Sequence, residues 1–184
     1  MYRLLKLSGQ IYIHCDWRIV HWVRCLLDDI FAYNNFRNQI IWYYNSAPRK
    51  KNSFANRHDV ILRYSKSDKF TFNADTVREP YATSAPRGYE KEKYYHPGGK
   101  VMSDVWQLQM LGQNDKTERV GYQTQKPLAL TDRIILSSSN PGDLVLDPFC
   151  GSGTFCLSAK NNTRDYIGID SSTIAIEKCE ERGL

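Results

Sequence analysis

An α/β fold follows from three features of the 184-residue chain. Residues 141–172, PGDLVLDPFCGSGTFCLSAKNNTRDYIGIDSS, read as strand, glycine loop, helix, strand and acid, which is half of a nucleotide-binding α/β unit. Upstream, runs rich in Ile, Val, Tyr and Trp surround one stretch with helical spacing of its apolar residues. The composition, 41% apolar and 24% charged, is enough for one domain with a core and a soluble surface.

The elements follow in chain order. Residues 10–14 read as a strand, and residues 18–31 as a helix with apolar positions at 19, 22, 23, 26, 27 and 30. His14 and Asp16 fall at the strand's C-terminal end, where open α/β sheets hold their ligands, so they are candidate site residues. Asp16 is equally suited to capping the helix, and His21 to packing or solvation. Residues 39–44 and 59–64 are two further strands. The loop between them, APRKKNSFANRH, is too long for a tight hairpin and strongly basic. From Asn73 to Glu118 the periodicity fades. Pro80, Pro86, Pro97 and Gly98-Gly99 break the segment, and Tyr81, Tyr89, Tyr94 and Tyr95 are interspersed with Arg87, Lys91 and Lys93. Helical spacing resumes over residues 127–137, where Pro127 suits a first turn.

The last third carries the chemistry. The strand over Leu144–Leu146 ends in Asp147, and Gly151 and Gly153 let the loop turn sharply and approach a ligand. A helix over residues 154–161 points its free N–H groups back at that loop. The strand over Tyr166–Ile169 ends in Asp170, placed for ribose hydroxyls, and Ser171 or Ser172 can cap the next helix. A dinucleotide fold would space its acid similarly. Here, however, Cys156 stands where that fingerprint has glycine or alanine, and Asp147 directly precedes the loop. A carboxylate there suits a cationic ligand better than a pyrophosphate. S-adenosylmethionine carries both an ammonium and a sulfonium.

Asp147-Pro148-Phe149-Cys150-Gly151-Ser152-Gly153-Thr154 resembles the cofactor motif of the DNA amino-methyltransferases, which modify adenine N6 or cytosine N4. GYQTQKP, ending at Pro127, resembles the motif preceding it when the cofactor half is C-terminal. IYIHCDW (residues 11–17) and residues 40–42 resemble further stretches of the family. The resemblance runs from about residue 1 to about 180. It implies a Rossmann-like methyltransferase sheet and S-adenosylmethionine as cofactor. The cofactor would be held by Asp147, Pro148, Phe149, Gly151, Gly153, Thr154, Asp170 and Ser171, with Lys126 near its methionine end. It divides the single domain into the remainder of a catalytic half (1–72), a target-recognition insertion (73–119) and a cofactor half (120–184). These enzymes also need an Asp/Asn/Ser-Pro-Pro-aromatic tetrapeptide, and none stands in this sequence. The expectation is an incomplete sheet, whose central strand, carrying that motif, would precede Met1. A further strand would follow Leu184. No catalytic residue is then identified beyond the weak candidates His14 and Asp16. The stretches IYIHCDW and YQTQKP most resemble adenine enzymes.

Net charge is +5, and residues 49–100 hold 12 Lys or Arg against 6 Asp or Glu, leaving +6 there and −1 elsewhere. Such a segment suits a polyanion. Arg49, Lys50, Lys51, Arg57 and Arg87 are candidate contacts to double-stranded DNA. No apolar run reaches the ~20 residues of a membrane span, and no signal-peptide pattern opens the chain. Five cysteines without Cys-x-x-Cys pairing suggest reduced thiols in a cytoplasmic setting and no metal site; the family resemblance implies that the setting is bacterial or phage-like. A complementing chain would restore the missing strand, and a homodimer is the other partner expected. Two other readings stay open: a non-catalytic DNA-binding or specificity subunit, and a nicotinamide-dependent oxidoreductase.

Overall fold

The computed structural model describes residues 1–46, 50–81 and 96–184. Its main sheet contains β1 (Gln10–Cys15), β2 (Phe36–Tyr43), β3 (His58–Ser65) and β6 (Val105–Gln107), in the order β1-β3-β2-β6. β3 runs antiparallel to both β1 and β2, and β6 runs parallel to β2. Strand alternation divides β3 between two cores. Val60, Leu62 and Tyr64 meet Leu27 and Phe31 of α1 (Val20–Phe31) on one face. Ile61 joins Ile40, Trp42 and Trp106 against Leu130 and Ile134 of α2 (Leu128–Ser138) on the other.

β2 begins at Phe36, three residues before the sequence expectation. Arg37 and Asn38 hide that start because they are polar in a strand. Both are satisfied sideways: Arg37 Nε donates to Ser65 Oγ at 2.7 Å, and Asn38 Oδ1 accepts from Arg63 Nη1 at 3.1 Å. The pairing bulges between Phe36 and Asn38. A short ladder of β4 (Arg78–Glu79) and β5 (Lys100–Val101) lies within the 73–119 stretch. β6 also lies in that stretch but belongs to the main sheet. Trp106 is buried there, and its indole N–H donates to Ser103 O at 2.9 Å.

The C-terminal part forms a second, parallel pair, β7 (Leu144–Asp147) with β8 (Asp165–Gly168). It is followed by α4 (Thr173–Glu181), and α3 (Thr154–Asn161) connects its strands. α2 joins the two sheets. Its core face lies on the main sheet, Ser138 at its end meets the Tyr12 hydroxyl at 2.5 Å, and its Asp132 accepts from Ser158 Oγ of α3 at 2.5 Å. Among the described residues no strand pairs with the second edge of β1 or of β7. The mixed α/β arrangement agrees with the expected Rossmann-like fold.

Candidate active site

The glycine loop is tied down at both ends. Ile169 N donates to Asp147 O, and Cys150 N donates to Ile169 O, each at 2.9 Å. Gly151 and Gly153 have φ of +53° and +74°, where an L side chain is strained. A Cβ on Gly153 would also lie 2.8 Å from Cys179 Sγ, and one on Gly151 would lie 3.1 Å from the Tyr122 ring. Tyr122, from the GYQTQKP stretch, therefore packs on the loop. Asp170 Oδ2 accepts from Gly151 N and Oδ1 from Ser172 N, both at 2.9 Å. These N–H groups hold its carboxyl below the usual range. Ser172, rather than Ser171, caps α4 by accepting from Ala175 N at 3.4 Å.

Other expected cofactor residues are placed less uniformly. Phe149 is 87% exposed beside the loop, and its N–H donates to Asp147 Oδ1 at 3.1 Å. Thr154 is buried, and its Oγ1 accepts from Arg182 Nη1 at 3.2 Å. Arg182 also donates to Ser152 O at 2.6 Å, so it braces the loop from behind. Its position after the last helix contains no local signal for this role.

Lys126 is held in a built turn. Gln125 donates to Glu118 O at 2.8 Å and accepts from Val120 N at 2.9 Å, while Glu118 Oε1 accepts from Leu128 N at the start of α2. Burial lowers the Lys126 ammonium pKa, and the carboxylates of Asp59 and Asp147 oppose that shift. Asp59 is the second residue of β3 and Asp147 the last of β7, while the Lys126 Nζ itself donates to Thr124 O at 3.2 Å. Asp59 Oδ2 also accepts from His14 Nε2 at 3.0 Å. Burial and Asp59 together raise the Tyr44 hydroxyl pKa, Asp59 acting by charge and by accepting its proton in a hydrogen bond. His14 in turn lies 5.7 Å from the Trp42 ring. Nothing in the sequence spacing distinguished Asp59 or Tyr44.

Asp16 does not cap α1. Its carboxylate is gripped by Arg18, with Nε to Oδ1 and Nη2 to Oδ2 each at 2.8 Å, and its pKa falls to about 2. Of the expected DNA contacts, Lys50 and Lys51 are exposed, and Lys50 Nζ donates to Asn56 Oδ1 at 3.0 Å. Arg57 is half-buried, and its Nε has no partner among the described residues. Arg49 and Arg87 lie outside the described residues. All five cysteines are unpaired, and the described residues contain no group of three metal-binding side chains. No described helix is long and apolar enough to cross a membrane.

The chain is 39% identical over 187 residues to the type II methyltransferase M.HpaI of Haemophilus parainfluenzae, covering 98% of this chain and 55% of that protein. It is 34% identical over 177 residues to the DNA adenine methyltransferase YhdJ of Escherichia coli, covering 92% and 58%. The chain thus spans a little over half the length of these curated relatives. Among solved structures, the M1.HpyAVI complex with S-adenosylmethionine superposes with a TM-score of 0.65 at 26% identity, over 97% of this chain and 77% of that one. The cytosine-N4-specific PvuII methyltransferase shares the fold, with a TM-score of 0.75 at 16% identity, over 98% and 65%. The N6_N4_Mtase model, described as DNA methylase, matches residues 1–181, and the chain belongs to this family of DNA amino-methyltransferases.

Proposed function

We propose that the protein transfers a methyl group from S-adenosylmethionine to an exocyclic amine of double-stranded DNA, with adenine N6 as the acceptor. The observation that carries this reading is Asp170 locked onto the Gly151 N–H just past the end of β8, with Asp147 half-buried at the end of β7. The residues fit the cofactor. Asp147 is desolvated, and a neighbouring ammonium or sulfonium offsets the cost of ionising it. Gly151 and Gly153 keep side chains off the loop backbone. Asp170 is ionised at neutral pH and retains acceptor capacity for ribose hydroxyls. When bound, S-adenosylmethionine supplies an electrophilic methyl group. The chain's own part is to orient the cofactor through Asp147, Asp170 and the Lys126 turn, and to attract DNA through the basic loop.

Adenine is supported by the likeness to YhdJ, itself described as an adenine methyltransferase. The sequence contains no Asp/Asn/Ser-Pro-Pro-aromatic run to aim the amine's lone pair at the methyl group. Positioning of that kind is worth ~7–11 kcal/mol of a barrier. We therefore propose that these 184 residues alone do not turn over. The test is transfer of labelled methyl groups to DNA, with and without a segment supplying the Pro-Pro motif, followed by hydrolysis to nucleosides. N6-methyladenine only in the complemented reaction is expected. N4-methylcytosine would overturn the acceptor, and full turnover by the chain alone would overturn its dependence on the motif.

A further inference from the structure

Phe54 is 98% exposed, the most of any large apolar side chain among the described residues. Phenylalanine is usually among the buried residue types, yet single exposed apolar side chains are common and assign nothing by themselves. Two independent observations give this one a meaning. The first is charge. Phe54 stands among Lys50, Lys51 and Arg57, and no acidic residue occurs between Tyr44 and His58. The second is position. The β2–β3 loop leaves the sheet where Tyr43 pairs with His58, and Tyr44 N donates to Arg57 O at 2.9 Å to close its base. Tyr44, at that base, packs against the same apolar cluster as Phe155, the residue after Thr154 of the glycine loop. The loop therefore projects from the end of the molecule that holds the glycine loop.

An exocyclic amine inside a duplex is out of reach until its base leaves the stack, and apolar side chains inserted between base steps lower the cost of that opening. We propose that Phe54 is a wedge that enters the base stack of duplex DNA at the target step, while Lys50 and Lys51 hold the flanking phosphates. This rests on the methyl-transfer reading above. In it Phe54 is a positioning residue: it acts on the stack around the reacting base and touches neither the amine nor the methyl group.

The test uses the protein together with a segment supplying the Pro-Pro motif, and two duplexes of one sequence, each in a paired and a mismatched form: one with 2-aminopurine at the target base, read by fluorescence, and one with adenine there, read by methyl transfer. The 2-aminopurine fluorescence rises when the base is unstacked. On the paired duplex, Phe54→Ala is expected to cut the rise and the methylation rate on the order of 10-fold, with Phe54→Leu intermediate. On the mismatched duplex, whose base is already easier to extrude, Phe54→Ala should approach wild-type behaviour. DNA affinity should change far less than with removal of Lys50 and Lys51. Since the ring touches solvent almost everywhere, the substitution should leave thermal unfolding unchanged. Equal losses on paired and mismatched DNA, or no loss on either, would overturn the wedge while leaving methyl transfer standing. A wild-type protein that neither binds DNA nor raises the fluorescence would remove both.

Discussion

Burial pushes the Asp147 carboxyl above the usual carboxylate range. The Phe149 N–H opposes the shift, Asp170 adds to it and Lys126 opposes it again. A carboxyl raised in the folded state stabilises the protein fully below its unfolded pKa, and that contribution is lost as pH rises through the folded pKa. A cationic ligand beside Asp147 lowers the pKa again, so binding should release protons in the window between the free and bound values. Cofactor affinity should accordingly weaken as pH falls through that window. Calorimetry in two buffers of different ionisation enthalpy measures the released proton, and Asp147→Asn should abolish it. A proton count of zero in the parent protein would place the cofactor's cation elsewhere. Asp170 acts differently, because backbone N–H groups already keep it ionised. Its replacement by alanine should weaken S-adenosylmethionine binding by about 10-fold or more without moving the pH dependence. Unchanged affinity would remove Asp170 from the ribose site.

At the scale of elements, the loop between β7 and α3 works only with glycine at its turns. Gly153 combines a φ of +74° with a site where a Cβ would crowd Cys179 and Leu184. Gly153→Ala should therefore lower stability by more than about 1 kcal/mol, the usual size of a strained positive-φ substitution. It should weaken cofactor binding in the same measurement series, because the loop must shift away from α4. Chemical denaturation gives the first quantity and equilibrium binding the second. Stability equal to the parent would mean that the loop can relax without leaving its place. α2 matters as much as the loop: Leu130 and Ile134 pack on the main sheet while Asp132 accepts from Ser158 of α3 and from Asn162 just after it. One helix thus sets the distance between the Asp59 and Asp147 ends of the two sheets.

For the whole molecule, the decisive property is where the charge lies. The net +5 comes from the middle of the chain, and Lys50, Lys51 and Arg57 belong to the loop between β2 and β3. DNA affinity should fall linearly with log salt, and alanine at these three positions should flatten the slope by about 0.9 for each phosphate no longer neutralised. Arg57 is the informative member, because its Nε is buried without a partner among the described residues. If Arg57→Ala lowers stability and leaves the salt slope alone, that guanidinium supports the loop rather than the DNA.

Local order determined what could be read from the chain alone. Residues 141–172 form a continuous strand, turn, helix, strand and acid, and each step has its own residue signal: alternation, glycine at positive φ, helical spacing. The same local rules located α1, α2 and the middle of β2 and β3. They missed the start of β2 and the whole of β6, because Arg37, Asn38 and Trp106 are explained by partners far along the chain. They could not join His14 to Asp59, 45 residues away, or Trp42 to the carbonyl of Leu108, 66 residues away. They could not join Thr154 to Arg182, 28 residues away, whose guanidinium donates to its hydroxyl. Periodicity reports which face of an element is buried; it carries no information on which other element covers that face. What brings Asp59 and Asp147 within electrostatic reach of Lys126 is the packing of α2 on the main sheet, which only the tertiary structure decided, because apolar faces choose their partners across the chain.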